Sequence, residues 1–129
     1  MRNAQVEGSS VKSVNFESKT ENPHFEGVYD VSPAELNEKL ADVKLIDVRQ
    51  PDEFVGELGH IAGAELIVLD TLPDHIVDLP KDQPIVFICR SGARSARAAA
   101  FVAMNGISNV YNMQGGMIQW NQLQLPVER

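Results

Sequence analysis

Short apolar runs alternate with amphipathic stretches from about residue 28 to the end of the chain. Val28–Val31 reads as a brief strand that runs into Ser32, Pro33 and Glu35. A serine cap, a proline at the first helical position and a glutamate three residues after the cap predict a helix to about Leu40. The run VKLIDVR, residues 43–49, is too short for a helix and ends in Asp47 and Arg49, so it predicts a buried strand with its polar residues at the carboxyl end. PDEF, residues 51–54, then starts a short helix. A second strand is expected near Glu65–Leu69, and Thr71 stands where it can cap a helix through about Asp78, with Pro80 and Pro84 bracketing the next turn.

The pattern continues with IVFI (85–88) as a strand, RSARAAAFVAMNG (94–106) as a helix closed by Gly106, NVYN (109–112) as a strand, and GGMIQWNQL (115–123) as a glycine-opened turn with a short helix. Strands that do not alternate, separated by helices, imply an α/β fold with a parallel sheet covered on both faces through right-handed crossovers. Residues 1–26 are rich in Ser, Asn, Glu and Lys with isolated apolar positions, and are expected to form an extended or mobile arm outside a domain spanning 27–129. In open α/β sheets ligands bind beyond the carboxyl ends of the strands, where Asp47, Arg49 and Cys89 fall.

Composition narrows the function. The chain has 129 residues and a net charge of −7, enough for one domain and too acidic for general affinity toward nucleic acid or an anionic membrane. No apolar run approaches the roughly 20 residues of a membrane span. One cysteine cannot form an internal disulfide, and residues 1–20 lack the apolar stretch of a signal peptide, so a reducing, cytoplasmic setting is expected. His24 and His75 have no Cys or His at ligand spacing, and neither a metal nor a cofactor is expected.

The unusual window is IVFICRSGARSARAAAF, residues 85–101. It places Cys89, the only cysteine, after an apolar strand and follows it with Arg90, Arg94 and Arg97, three of the six arginines. A lone cysteine there is ordinarily a small buried hydrophobe. Cations at the amino end of a helix, however, oppose the backbone dipole, and a local rule broken without a packing gain marks a functional site. Gly92 lets the backbone curl so that successive N–H groups can form an anion-binding concavity. A thiol at its rim, flanked by guanidinium groups, has its thiolate favoured and becomes a nucleophile.

LIDVRQPDEFVGELGHIAGA (45–64), IVFICRSGARS (85–95) and GGMIQW (115–120), taken in order over about residues 28–127, resemble a single-domain rhodanese. Ala62 stands where many members have proline. The resemblance implies a rhodanese-like five-stranded parallel sheet flanked by helices on both faces, and a sulfurtransferase. Cys89 would carry a persulfide, with Arg90, Ser91, Gly92, Ala93 and Arg94 as the substrate-binding loop. It further implies a small anionic sulfur donor such as thiosulfate, and cyanide, a thiol or a protein as acceptor. Asp47 and Arg49 are expected to pair internally, His60 to bond a loop rather than act as a base, Trp120 to lie in the core or a lid, and Arg97 to coat the surface. Ser91 and Ser95 can each serve either as the helix cap or as a donor to sulfur.

Two other functions fit parts of the pattern. A phosphatase or arsenate reductase of similar fold also sets a cysteine and an arginine in an anion loop, but its pattern places arginine six residues after cysteine. Here Arg94 is five after Cys89, and no second thiol exists to resolve a reductase intermediate. A non-catalytic interaction module has no need of Cys89 and both loop arginines.

Overall fold

The computed structural model describes residues 14–129. In chain order it contains β1 (Thr20–Glu21), β2 (Tyr29–Val31), α1 (Pro33–Glu38), β3 (Lys44–Asp47), α2 (Pro51–Phe54), β4 (Glu65–Leu66), β5 (Ile85–Ile88), α3 (Ala93–Met104), β6 (Val110–Met113) and α4 (Gly116–Gln122). Two 3₁₀ segments, Leu40–Asp42 and Leu69–Asp78, link them. The sheet order is β1-β2-β6-β5-β3-β4. Every pairing from β2 to β4 is parallel, and β1 adds to β2 antiparallel. The expected five-stranded parallel sheet is present, with one further short strand on its edge. The helix expected after Thr71 is instead a 3₁₀ segment containing Pro73, which offers no N–H to an α-helical ladder. Thr71 donates its hydroxyl to Val68 O at 2.8 Å rather than capping.

Side chains of β5, and of Cys89 just after it, divide by parity between two cores, as a pleated strand requires. Ile85, Phe87 and Cys89 join Ala98, Ala99 and Val102 of α3 on one face. Val86 and Ile88 join Leu36 of α1 and Met117 and Trp120 of α4 on the other. β5 is buried on both faces, which is why its sequence is apolar without alternation. Among the described residues no helix is long and apolar enough to cross a membrane.

Residues 14–26 correct the expectation of an arm outside the core; residues 1–13 of that expected arm lie outside the described residues. Phe16 is 4% exposed and meets Tyr111 edge-on, ring centroids 5.1 Å apart at 63°. Asn22 is also buried, and its N–H bonds Val28 O at 2.8 Å. Ser32 Oγ accepts from Glu35 N at 3.2 Å as expected of a cap. The Glu35 carboxylate, however, does not complete the capping box: it accepts from Glu17 N, Ser18 N and Ser18 Oγ at 2.6–2.8 Å and pairs with Lys39 at 2.9 Å. The predicted helix start thus doubles as the clamp for the incoming chain.

Burial pushes the Glu35 carboxyl up, but the Ser18 hydroxyl, Lys39 and the N–H groups of Ser18 and Glu17 outweigh it, bringing it from 4.5 down to about 2. A carboxyl lowered in the folded state stabilises the fold above its unfolded value, and that contribution is lost as pH falls through the folded one. The melting temperature of Glu35→Gln should therefore lie below the native one at neutral pH, with the gap closing as pH falls from 4.5 toward about 2. A gap that stays constant with pH would show that the clamp's charge contributes nothing.

Candidate active site

Cys89 follows β5 at the carboxyl end of a central strand, and its side chain lies on the α3 face. It is 1% exposed. Gly92 N donates to Sγ at 3.1 Å, and Ser95 Oγ lies 3.2 Å from it, so the sulfur is turned into the loop that follows it. Gly92 is the N-cap of α3, with φ 102° and no side-chain cap bond. Neither Ser91 nor Ser95 is the cap. The left-handed turn at Gly92 is what reverses the chain over the thiol, a conformation other L-residues rarely adopt.

The loop is held from behind by α4. Met117 N donates to Cys89 O at 2.9 Å and Ile118 N to Arg90 O at 3.0 Å. Peptide bonds here are trans, so the N–H of the next residue points opposite to each bound carbonyl. The N–H groups of Arg90 and Ser91 are thereby aimed away from α4. Gly116 permits this approach: a Cβ there would stand 2.4 Å from Arg90 O and 2.6 Å from Cys89 O. GGMIQW does more than open a turn, because it orients the loop's backbone. Trp120 closes the arrangement below, fully buried with Nε1 donating to Pro126 O at 2.9 Å.

Arg94 is the loop residue the structure places least as expected. Its guanidinium forms a bidentate pair with Glu53 of α2, at 2.8 and 2.9 Å. Arg94 holds Glu53 down to about 2, burial opposing and Gln50 N–H adding; Arg94 in turn is raised, chiefly by its bonds to Glu53, with the charge on Cys89 a smaller contributor. Arg90 and Ser91 are exposed and make no side-chain bond among the described residues, and Ala93 is the exposed first residue of α3. Arg97 is exposed on α3.

Asp47 and Arg49 pair internally, fully buried, with contacts at 2.8 and 2.9 Å. Arg49 also donates to Gly59 O at 2.8 Å and Glu53 O at 3.2 Å. This guanidinium ties the end of β3 to the segment carrying Glu53, and Glu53 ties that segment to α3. His60 stacks on Phe54, centroids 3.7 Å apart, with Nδ1 2.8 Å from Phe54 O, so its partner is the last residue of α2 rather than the expected loop. Beside the cysteine loop lies a cavity of about 170 Å³ lined by Arg49, Glu53, Glu57, Leu58 and Arg90 among others. The described residues contain no group of three His, Cys, Asp or Glu side chains able to hold a metal.

Residues 32–123 match the family model of the rhodanese-like domain. The chain belongs to the rhodanese-like family. A sulfurtransferase of Allochromatium vinosum is 36% identical over 103 residues, covering 78% of this chain and 94% of the relative. A thiosulfate sulfurtransferase of Pseudoalteromonas translucida is 33% identical, covering 61% and 73%. The crystal structure of a rhodanese-related protein from Thermoplasma volcanium superposes with a TM-score of 0.71 at 30% identity, covering 77% of this chain and 96% of that one. Within this rhodanese-like frame, Glu53, Asn112 and Asp30 join the surroundings of the loop without having been singled out in the sequence. Asp30 and Asn112 did carry a signal, as lone polar residues inside otherwise apolar strands; Glu53 carried none, since its partner is 41 residues away.

Proposed function

We propose that this protein is a sulfurtransferase that moves a sulfane sulfur from an anionic donor such as thiosulfate to a thiophilic acceptor, cyanide or a thiol, through a persulfide on Cys89. The carrying observation is the loop itself: the only cysteine is turned inward under the Gly92 N–H, with Arg90 and Ser91 N–H groups aimed away from the helix that holds their neighbours' carbonyls. The Cys89 thiolate attacks the outer sulfur of thiosulfate, the new S–S bond forms, the old one breaks, and sulfite leaves with the bonding pair. The acceptor then attacks the outer sulfur of the persulfide and Cys89 departs as thiolate. Each step moves one electron pair, so the cycle closes without a redox cofactor.

The loop N–H groups are suited to the negative charge carried by the donor and then by the outer sulfur. Arg90, exposed on the cavity wall, is the cation available to the departing sulfite. Arg94 serves by bracing the loop against α2, its charge balanced by Glu53. Sulfurtransferase names among the relatives support this reading. The short loop, with four residues between Cys89 and Arg94, leaves little room for in-line phosphoryl transfer. Intact mass after thiosulfate treatment should rise by one sulfur and return on adding cyanide, while an aryl phosphate is left uncleaved. Cleavage of the phosphate with no uptake of sulfur from any donor would replace this reading with the phosphatase one.

A further inference from the structure

Six polar or charged side chains are buried among the described residues. Two form the Asp47–Arg49 pair; the other four, Ser95, Asn112, Asp30 and Asn22, make one hydrogen-bonded row that ends on the Cys89 sulfur. Asp30 and Asn112 are register partners on β2 and β6. Asn22 Oδ1 accepts the N–H groups of His24 and Phe25 at 2.8 and 3.0 Å, so its amide nitrogen is the group that reaches Asp30 Oδ1, at 2.9 Å. Asn112 Nδ2 reaches the same oxygen at 3.0 Å. A carboxylate can only accept, which turns the Asn112 carbonyl the other way, onto Ser95 Oγ at 2.5 Å. That carbonyl has no proton to give, so the single Ser95 hydroxyl proton lies on this bond. Toward Cys89 Sγ, 3.2 Å away, Ser95 is left with lone pairs.

We propose that Asp30, acting through Asn112, makes Ser95 a hydrogen-bond acceptor toward Cys89, so that the row stabilises the thiol of the empty enzyme against its bare thiolate. Asp30 and Asn112 are positioning residues. The consequence for turnover rests on the sulfurtransferase reading: in a persulfide the negative charge moves to the outer sulfur, one bond farther from the Ser95 lone pairs, and the penalty on the anion is relieved. The row therefore favours the loaded anion over the empty one. The other charged groups around the thiol are Arg90 in its loop, Arg94 on α3, Glu53 on α2 and the Asp47–Arg49 pair after β3, and substitution at Ser95 leaves all of them in place.

The test is the pH profile of Cys89 alkylation by iodoacetamide in the full chain, with melting curves to establish that each variant is folded. Ser95→Ala should move the midpoint to lower pH by about one unit, the size of one neutral hydrogen bond. A midpoint that rises, as loss of a donor to the thiolate would produce, or one that does not move, overturns the proposal. Asp30→Asn, which removes the charge that fixes the amide's direction, should shift the midpoint the same way in the native background and little in the Ser95→Ala background. No shift, or an equal shift in both, would mean that Asp30 does not act through Ser95 and would also overturn it. Alkylation needs no sulfur donor, so failure of the sulfurtransferase reading would show in the mass experiment and leave this result standing.

Discussion

Cys89→Ser should lose sulfur transfer by a factor on the order of a thousand or more, because a hydroxyl is a far weaker nucleophile toward sulfur than a thiolate and no second thiol can take its place. The substituted oxygen remains under the Gly92 N–H and beside Ser95 Oγ, the two groups that now meet Sγ. Its hydrogen bonding is thus satisfied, and the fold should survive with a melting temperature close to the native one. Intact mass after thiosulfate should show no added sulfur in the variant and one in the native chain. A Ser variant that still gains sulfur, or that transfers it at the native rate, would remove Cys89 from the mechanism whatever else the loop binds.

The frame was legible because its signals are local. IVFI reads as a strand buried on both faces, Ser32 and Pro33 as a helix start, and the arginines after Cys89 stand out because cations at the amino end of a helix oppose its dipole. Each depends on neighbours within a turn or two of sequence. The missing parts depend on distant partners. Arg94 reads as a loop cation until α2 brings Glu53 to within 2.8 Å of it, and Gly116 reads as a turn residue until the backbone of Arg90 is found where its Cβ would be. On sequence Ser91, inside the loop itself, is the favoured candidate of the two serines. The helical register of α3 reverses that order, burying Ser95 against the sulfur and leaving Ser91 in solvent. The misread start of the chain has the same origin: Phe16, Asn22 and Phe25 follow no helical or strand period, and an anchor without periodicity cannot be told from a chance apolar residue in a polar arm.

The largest expected effect on stability lies in this same segment at the start of the chain. Phe16→Ala should destabilise the fold by about 3 kcal/mol, the lower end for a buried phenylalanine removed from a core. The ring is 4% exposed, lies edge-on to Tyr111, is covered by Lys39 Nζ 5.5 Å from its centroid, and belongs to the cluster that holds Met117 and Trp120. For a domain of this size that cost corresponds to a melting temperature lower by about 10 °C. Deleting residues 1–26 should cost at least as much, since it also strips Glu35 of its bonds to Glu17 and Ser18 and uncovers the edge of β2. The deletion takes Asn22 as well, and with it one of the two amides on Asp30. The start of the chain is joined in this way, through Asp30, Asn112 and Ser95, to the sulfur of Cys89, so the deleted protein should show an altered alkylation profile in addition to its lower melting point, whereas Phe16→Ala, which leaves Asn22 in place, should show the lower melting point alone. A deletion that melts at the native temperature would mean that residues 14–26 rest on the core without supporting it.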